Sequence, residues 1–161
     1  MLLYRVAPES YALDLSGEGA RLAGGRWNPK LFPVLYTSEH PSLALTETLP
    51  SFSLELLPVG LCLVTIILPA ELSVREITVA ELPCDWNRFP HAASTVAMGR
   101  EWLTHGDSAA LKVPSTMGPP GKCWNFVLNP LHPELRGKMT ATSERWELDS
   151  RLEQLCRQQH A

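Results

Sequence analysis

The run Gly24-Gly25-Arg26-Trp27-Asn28-Pro29, followed closely by Phe32-Pro33-Val34-Leu35-Tyr36-Thr37, sets a guanidinium, an indole and a phenol within eleven residues. Arginine is a planar, permanently charged fork that grips phosphate oxygens. Aromatic rings beside it can stack on a flat heterocycle. The combination suits a ligand that is part phosphate and part aromatic ring, such as a dinucleotide. An isolated arginine in a glycine-bounded turn is most often a solvated surface charge. Here Gly24 and Gly25 open the backbone, Asn28-Pro29 restricts it again and two aromatics follow, so context favours an anion clamp.

Glu47 is the second candidate. On a helix from about Pro41 to Leu49 it shares a face with Leu43 and Ala44, and so points to the apolar side. It also sits in the last turn, where the macrodipole disfavours negative charge. A carboxylate so placed is protonated, paired with a cation or retained for function. A different helix register would leave it merely exposed, and spacing alone does not choose. Ser115 ends a strand after Pro114, a position usually filled by a simple turn residue. The nucleophile elbow G-x-S-x-G is absent from Val113-Pro114-Ser115-Thr116-Met117, and a hydrolase triad would have to recruit His132 or His105 with no supporting pattern. His40, His91, His105, His132 and His160 show no H-E-x-x-H and no paired ligand spacing, so no metal site is expected. Neither a P-loop nor a Rossmann fingerprint is present. Trp86, Trp102, Trp124 and Trp146 read as core or subunit contacts.

These side chains need a framework, and 161 residues suffice for one domain with a single sizeable core. The formal net charge of −3 argues against a nonspecific nucleic-acid binder, although Arg21, Arg26 and Lys30 could still gather in one cleft. Cys62, Cys84, Cys123 and Cys156 form no C-x-x-C pair, which fits scattered thiols in a reducing cytosol. The longest apolar run, Leu61 to Leu68, is strand-sized rather than membrane-spanning, and the N-terminus enters a strand pattern without a signal peptide. A cytoplasmic location is expected.

Strands are expected at Leu2–Val6, Val34–Thr37, Leu61–Leu68, Ser73–Ile77, Ala109–Val113, Trp124–Leu128 and Trp146–Leu148. Residues 14–25 read as a loop, and 82–89 as an exposed excursion. Helices are expected from Pro41 to Leu49, capped by Ser38, from His91 to Thr104, and from Ser150 onward. Fourteen prolines and the absence of a βαβ rhythm indicate an α+β domain.

Several ordered blocks together resemble the RES-domain toxins of bacterial toxin–antitoxin pairs, named for Arg, Glu and Ser. They are Tyr4-Arg5-Val6, Gly25-Arg26-Trp27-Asn28, Val34-Leu35-Tyr36-Thr37-Ser38, Ala44-Leu45-Thr46-Glu47, Leu111-Lys112-Val113-Pro114-Ser115, Asn125 through Pro133, and Trp146 through Leu152. The resemblance spans nearly the whole chain, as a single RES-type domain over residues 1–161.

The resemblance implies an ADP-ribosyltransferase-like fold, a split mixed or antiparallel sheet with flanking helices around an NAD cleft. It implies cleavage of the nicotinamide–ribose bond, with NAD as substrate, water or inorganic phosphate as acceptor, and no cofactor or metal. Arg26, Glu47 and Ser115 match the name-giving catalytic positions, while Arg26, Trp27, Tyr36 and Asn125 fall at NAD-binding positions. Glu47 would stabilise the charge building on the ribose, Arg26 would hold the pyrophosphate, and Tyr36 and Trp27 would sandwich the nicotinamide. Ser115 would hydrogen-bond the nicotinamide amide or the ribose rather than act as a nucleophile. Relatives pair with an Xre-type helix-turn-helix antitoxin, through which alone DNA would be contacted, so a hetero-oligomeric complex is expected. A protein-modifying ADP-ribosyltransferase and a catalytically silent interaction module are the alternatives.

Overall fold

The computed structural model describes residues 1–51 and 60–151. Seven strands, β1 Leu2–Pro8, β2 Leu35–Ser38, β3 Leu61–Ile67, β4 Val74–Glu76, β5 Ala110–Pro114, β6 Trp124–Leu128 and β7 Thr140–Arg145, form one mixed sheet in the order β4-β5-β6-β2-β1-β3-β7. Among the described residues only β4 and β5 run parallel. Three helices, α1 Glu18–Ala23, α2 Pro41–Thr48 and α3 Ala93–His105, accompany them.

Strand alternation divides the apolar residues between the two faces. One face is continuous: Leu3, Leu35, Val64, Ile66, Ala110, Phe126 and Leu128 belong to one buried cluster. The other face carries two separate clusters. Trp27, Val34, Trp102, Leu111, Val113 and Val127 pack at the α3 side, and Val6, Ala44, Leu45 and Leu61 at the α2 side. The gap between them coincides with the seam of the sheet. There β1 and β2 share the single register pair Tyr4–Ser38, whereas β1 and β3 are in register along their whole length, from Leu2–Ile67 to Pro8–Leu61. The sheet is therefore split at this seam.

Helix α3 buries Thr95, Gly99 and Trp102, one stripe at helical spacing, and ends at Gly106, whose φ of 68° provides the left-handed cap. The Trp102 indole donates to the Ser108 carbonyl and hydroxyl, so its polar edge is satisfied in the interior. Cys62 alternates with Leu61 and Leu63 on β3, and the two parities feed different clusters, as a strand covered on both faces requires.

Four expectations are corrected. Residues 18–23 of the expected loop form α1, which Gly24 terminates with its N–H on the Ala20 carbonyl. Helix α2 has His40 at its N-cap without a side-chain cap, because Ser38 still belongs to β2 and its hydroxyl is engaged across the sheet. The final strand is β7, a run of small and polar residues paired to β3; Trp146–Leu148 instead pack onto the α2-side cluster. A polar edge strand lacks the apolar signature that drew attention to Trp146. The excursion at 82–89 is pinned inward by Trp86, which is buried. Ser150 and Arg151 are helical, as expected, and the rest of the expected C-terminal helix, with Cys156, lies outside the described residues.

Candidate active site

The segment from Gly25 to Asn28 is a tight turn closed by the Gly25 N–H on the Asn28 carbonyl at 2.9 Å. Asn28 is buried and organises it: Nδ2 donates to the carbonyls of Ala20, Pro29 and Phe32, and Oδ1 accepts from the Tyr36 hydroxyl at 2.7 Å. The same hydroxyl accepts the Trp27 N–H at 3.0 Å. Burial pushes the Tyr36 phenol above its ordinary range, which keeps it protonated as the donor to Asn28. Gly25 sits against this strut, since a Cβ there would lie 2.5 Å from the Tyr36 oxygen.

The turn sends its two central side chains in different directions. Trp27 is 3% exposed and packs with Val34, Trp102 and Val113 under α3, so it is a core residue and presents no face for stacking. This corrects its expected place in the NAD site. Gly99 lets α3 lie directly on the Trp27 backbone. Arg26 remains outside the core. Its Nη1 donates to the carbonyls of Trp86 and Arg88, and among the described residues no acceptor takes Nε or Nη2. Burial lowers the Arg26 pKa from its ordinary value, while the nearby Glu47 and Tyr36 act the other way. The group stays charged in either case.

Glu47 lies at the seam. Its Oε1 accepts the Ser115 hydroxyl at 2.5 Å and the Asn125 amide Nδ2. Asn125 is oriented from behind by the Ser38 hydroxyl on its Oδ1 at 2.7 Å, and Ser38 and Asn125 are register partners in β2 and β6. Ser115, 1% exposed, accepts the Met117 N–H at 2.9 Å and is held by its own N–H on the Cys123 carbonyl. The Ser115 proton is thus directed at a carboxylate, with no histidine in the chain of bonds. Among the described residues no donor occupies Glu47 Oε2.

Of the expected site residues, Glu47, Ser115 and Asn125 meet through hydrogen bonds, and the charge of Glu47 reaches Arg26, whose pKa it raises against the effect of burial. Tyr36 serves as the strut of the arginine turn, and Trp27 is removed. Ser38 and Asn28 were missed. Ser38 follows Tyr36 at strand spacing and so shares its face, which was a readable signal; the role of Asn28 depends on three carbonyls that converge only after folding. Two surface depressions of about 410 and 300 Å³ lie away from the seam, lined by residues such as Ser73 and His105, and Leu15 and Leu135. Among the described residues no group of His, Cys, Asp and Glu is arranged to hold a metal, and no helix is long and apolar enough to cross a membrane.

A split mixed sheet with a carboxylate, hydroxyl and amide cluster at its seam, and an arginine on a braced turn nearby, defines an α+β protein. The chain belongs to the RES domain family, whose model matches residues 2–150. It is 33% identical over 141 residues to a protein of Sphingobium sp. (strain YBL2) named "Prs ADP-ribosylating toxin", covering 86% of each chain. It is 34% identical over 155 residues to the "Toxin Res" of Photorhabdus laumondii, covering 94% of this chain and 97% of that one. In fold it resembles a chain of the M. tuberculosis MbcT-MbcA toxin–antitoxin complex, with a TM-score of 0.74 and 24% identity over 98% of this chain and 88% of that chain.

Proposed function

We propose that this chain is the toxin of a type II toxin–antitoxin pair and depletes NAD by cleaving its nicotinamide–ribose bond. The observation that carries the proposal is the Glu47 carboxylate, held at the seam by two neutral donors with its second oxygen open. Neutral partners fix the carboxylate without cancelling its charge. A full negative charge aimed at one point is what an oxocarbenium-like transition state requires.

In the reaction the bond from ribose C1′ to the nicotinamide nitrogen breaks, and the electron pair leaves with nicotinamide, which becomes neutral. An oxygen of water or inorganic phosphate then bonds to C1′ and sheds its proton to solvent. The products are nicotinamide and ADP-ribose or its phosphate ester. Glu47 stabilises the charge on the sugar and holds a ribose hydroxyl through Oε2. Ser115 and Asn125 position the carboxylate, and Ser115 is not a nucleophile. Arg26 offers Nε and Nη2 to the pyrophosphate. NAD is the substrate, with no metal or resident cofactor required.

The names of the relatives support a toxin, and the likeness to a chain of the MbcT-MbcA toxin–antitoxin complex supports an antitoxin as partner. We assign that partner to the Xre-type helix-turn-helix class, which leaves DNA contact to the antitoxin and fits the acidic charge of −3. The cytoplasm, where NAD is abundant, is the place of action. A single RES-type domain accounts for the whole chain.

The purified chain, free of antitoxin, is to be incubated with NAD with and without phosphate and assayed for nicotinamide. Release in step with NAD loss supports the proposal; intact NAD at high protein concentration refutes it. The name of the Sphingobium relative favours one second reading, transfer of ADP-ribose to a protein. Labelled NAD in lysate distinguishes the two, because transfer leaves a labelled protein band and bulk NAD intact.

A further inference from the structure

None of the site residues described above offers an aromatic face to the adenine end of a dinucleotide, and residues 83–91 provide one. This excursion is fastened at several points. Trp86 is buried, Asp85 accepts the Ser94 hydroxyl of α3 at 2.9 Å, and the Arg88 N–H closes a turn on the Asp85 carbonyl at 3.0 Å. The carbonyls of Trp86 and Arg88 both receive Arg26 Nη1. The next residue, Phe89, is 80% exposed and lies perpendicular to the His91 ring, with centroids 5.5 Å apart at 87°. One T-shaped contact covers at most one face of the ring, and the exposure leaves the other face open to solvent. Burial and the neighbouring Arg26 both hold the His91 imidazole below its ordinary pKa, so no second cation crowds the position at neutral pH.

Arg26 therefore connects two places: it lies within reach of the Glu47 charge, and the segment bearing Phe89 is bonded to its guanidinium. A dinucleotide has the same sequence of parts, a glycosidic bond, a pyrophosphate and a second base. We infer that Phe89 is the stacking platform for the adenine ring of the bound dinucleotide. The inference rests on the NAD-cleaving reading proposed above. Base stacking on one exposed aromatic face is sequence-tolerant and moderately strong, and a pre-anchored ring loses little freedom on binding.

The test compares wild type, Phe89→Ala and Phe89→Trp by KM for NAD and by competition with ADP-ribose, which has adenine, and with nicotinamide mononucleotide, which lacks it. Phe89→Ala is expected to weaken NAD and ADP-ribose by about 5- to 20-fold, to leave nicotinamide mononucleotide within about twofold and to leave kcat nearly unchanged, with Phe89→Trp restoring affinity. Unchanged affinity for ADP-ribose, or equal losses for both competitors, overturns the assignment while wild-type cleavage of NAD stands. Absence of nicotinamide release from the wild type overturns the NAD reading itself and this inference with it.

Discussion

Gly99→Ala should destabilise the protein although alanine is the better helix former. In the middle of α3 the exchange gains roughly 0.8–1 kcal/mol of helix propensity. The added Cβ, however, would lie 1.9 Å from the Trp27 carbonyl oxygen, 2.5 Å from its carbon and 2.9 Å from its Cα. An ordinary carbon–oxygen contact needs about 3.3 Å, so α3 and the arginine turn must separate by more than about 1 Å. The obstacle is backbone and cannot rotate away. Overpacking of this kind costs typically 1–3 kcal/mol, and a rigid obstacle places it near the top of that range. The net loss is then about 2 kcal/mol, or about 4–8 °C in Tm for a chain of this size. Because the displaced turn carries Arg26, activity should fall by about 10²-fold as well. Gly19→Ala in α1 is the control: nothing lies within 4 Å of its Cβ, so it should stabilise by up to about 1 kcal/mol. Thermal melts and nicotinamide release on both variants decide it. A Gly99→Ala protein melting at or above wild type would show that α3 is not seated on the turn.

Tyr36→Phe removes the oxygen that accepts the Trp27 N–H and donates to Asn28, leaving two buried groups unpaired. A loss of about 1–3 kcal/mol is expected in denaturant titrations, and an unchanged midpoint would refute the strut. Arg26→Lys should raise KM for NAD more than it lowers kcat, since a point charge replaces a fork; unimpaired KM would show that no clamp exists. By NMR titration the His91 imidazole should lose its proton below the ordinary value of about 6.5. Arg26→Ala should raise that midpoint only in part, because burial is the larger cause and Arg26 the smaller. The sign for stability follows: the unfolded chain binds this proton more readily, so the contribution of His91 falls as pH drops through the interval below about 6.5. A midpoint unmoved by Arg26→Ala would separate His91 from the arginine.

Much of the sheet was legible because its strands alternate or run apolar over lengths only a strand explains. Leu61–Leu68, Ala109–Val113 and Trp124–Leu128 all appear within about a residue of expectation. Thr140–Arg145 was not legible, because an exposed edge strand needs no apolar face. Spacing left Glu47 open between an interior-facing and an exposed carboxylate, and said nothing of its partners. They are neutral donors 68 and 78 residues away in the chain, whereas a cation was one of the three readings that local electrostatics allowed. The error over Trp27 has a plain cause. Adjacent residues in a tight turn diverge, and Trp27 is the one that packs with Val34, Trp102 and Val113, partners from distant parts of the chain. Tryptophan in a glycine-rich turn carries no local mark of that choice.

The central claim is that the charge of Glu47 drives glycosidic cleavage of NAD. Its most direct test is nicotinamide release by wild type and Glu47→Gln at matched concentration, with melting curves for both. Glutamine keeps an oxygen that can accept from Ser115 and Asn125, so the fold and the Tm should persist within about 1 kcal/mol while the rate falls by about 10²-fold or more. A Glu47→Gln protein that cleaves NAD at the wild-type rate contradicts the account.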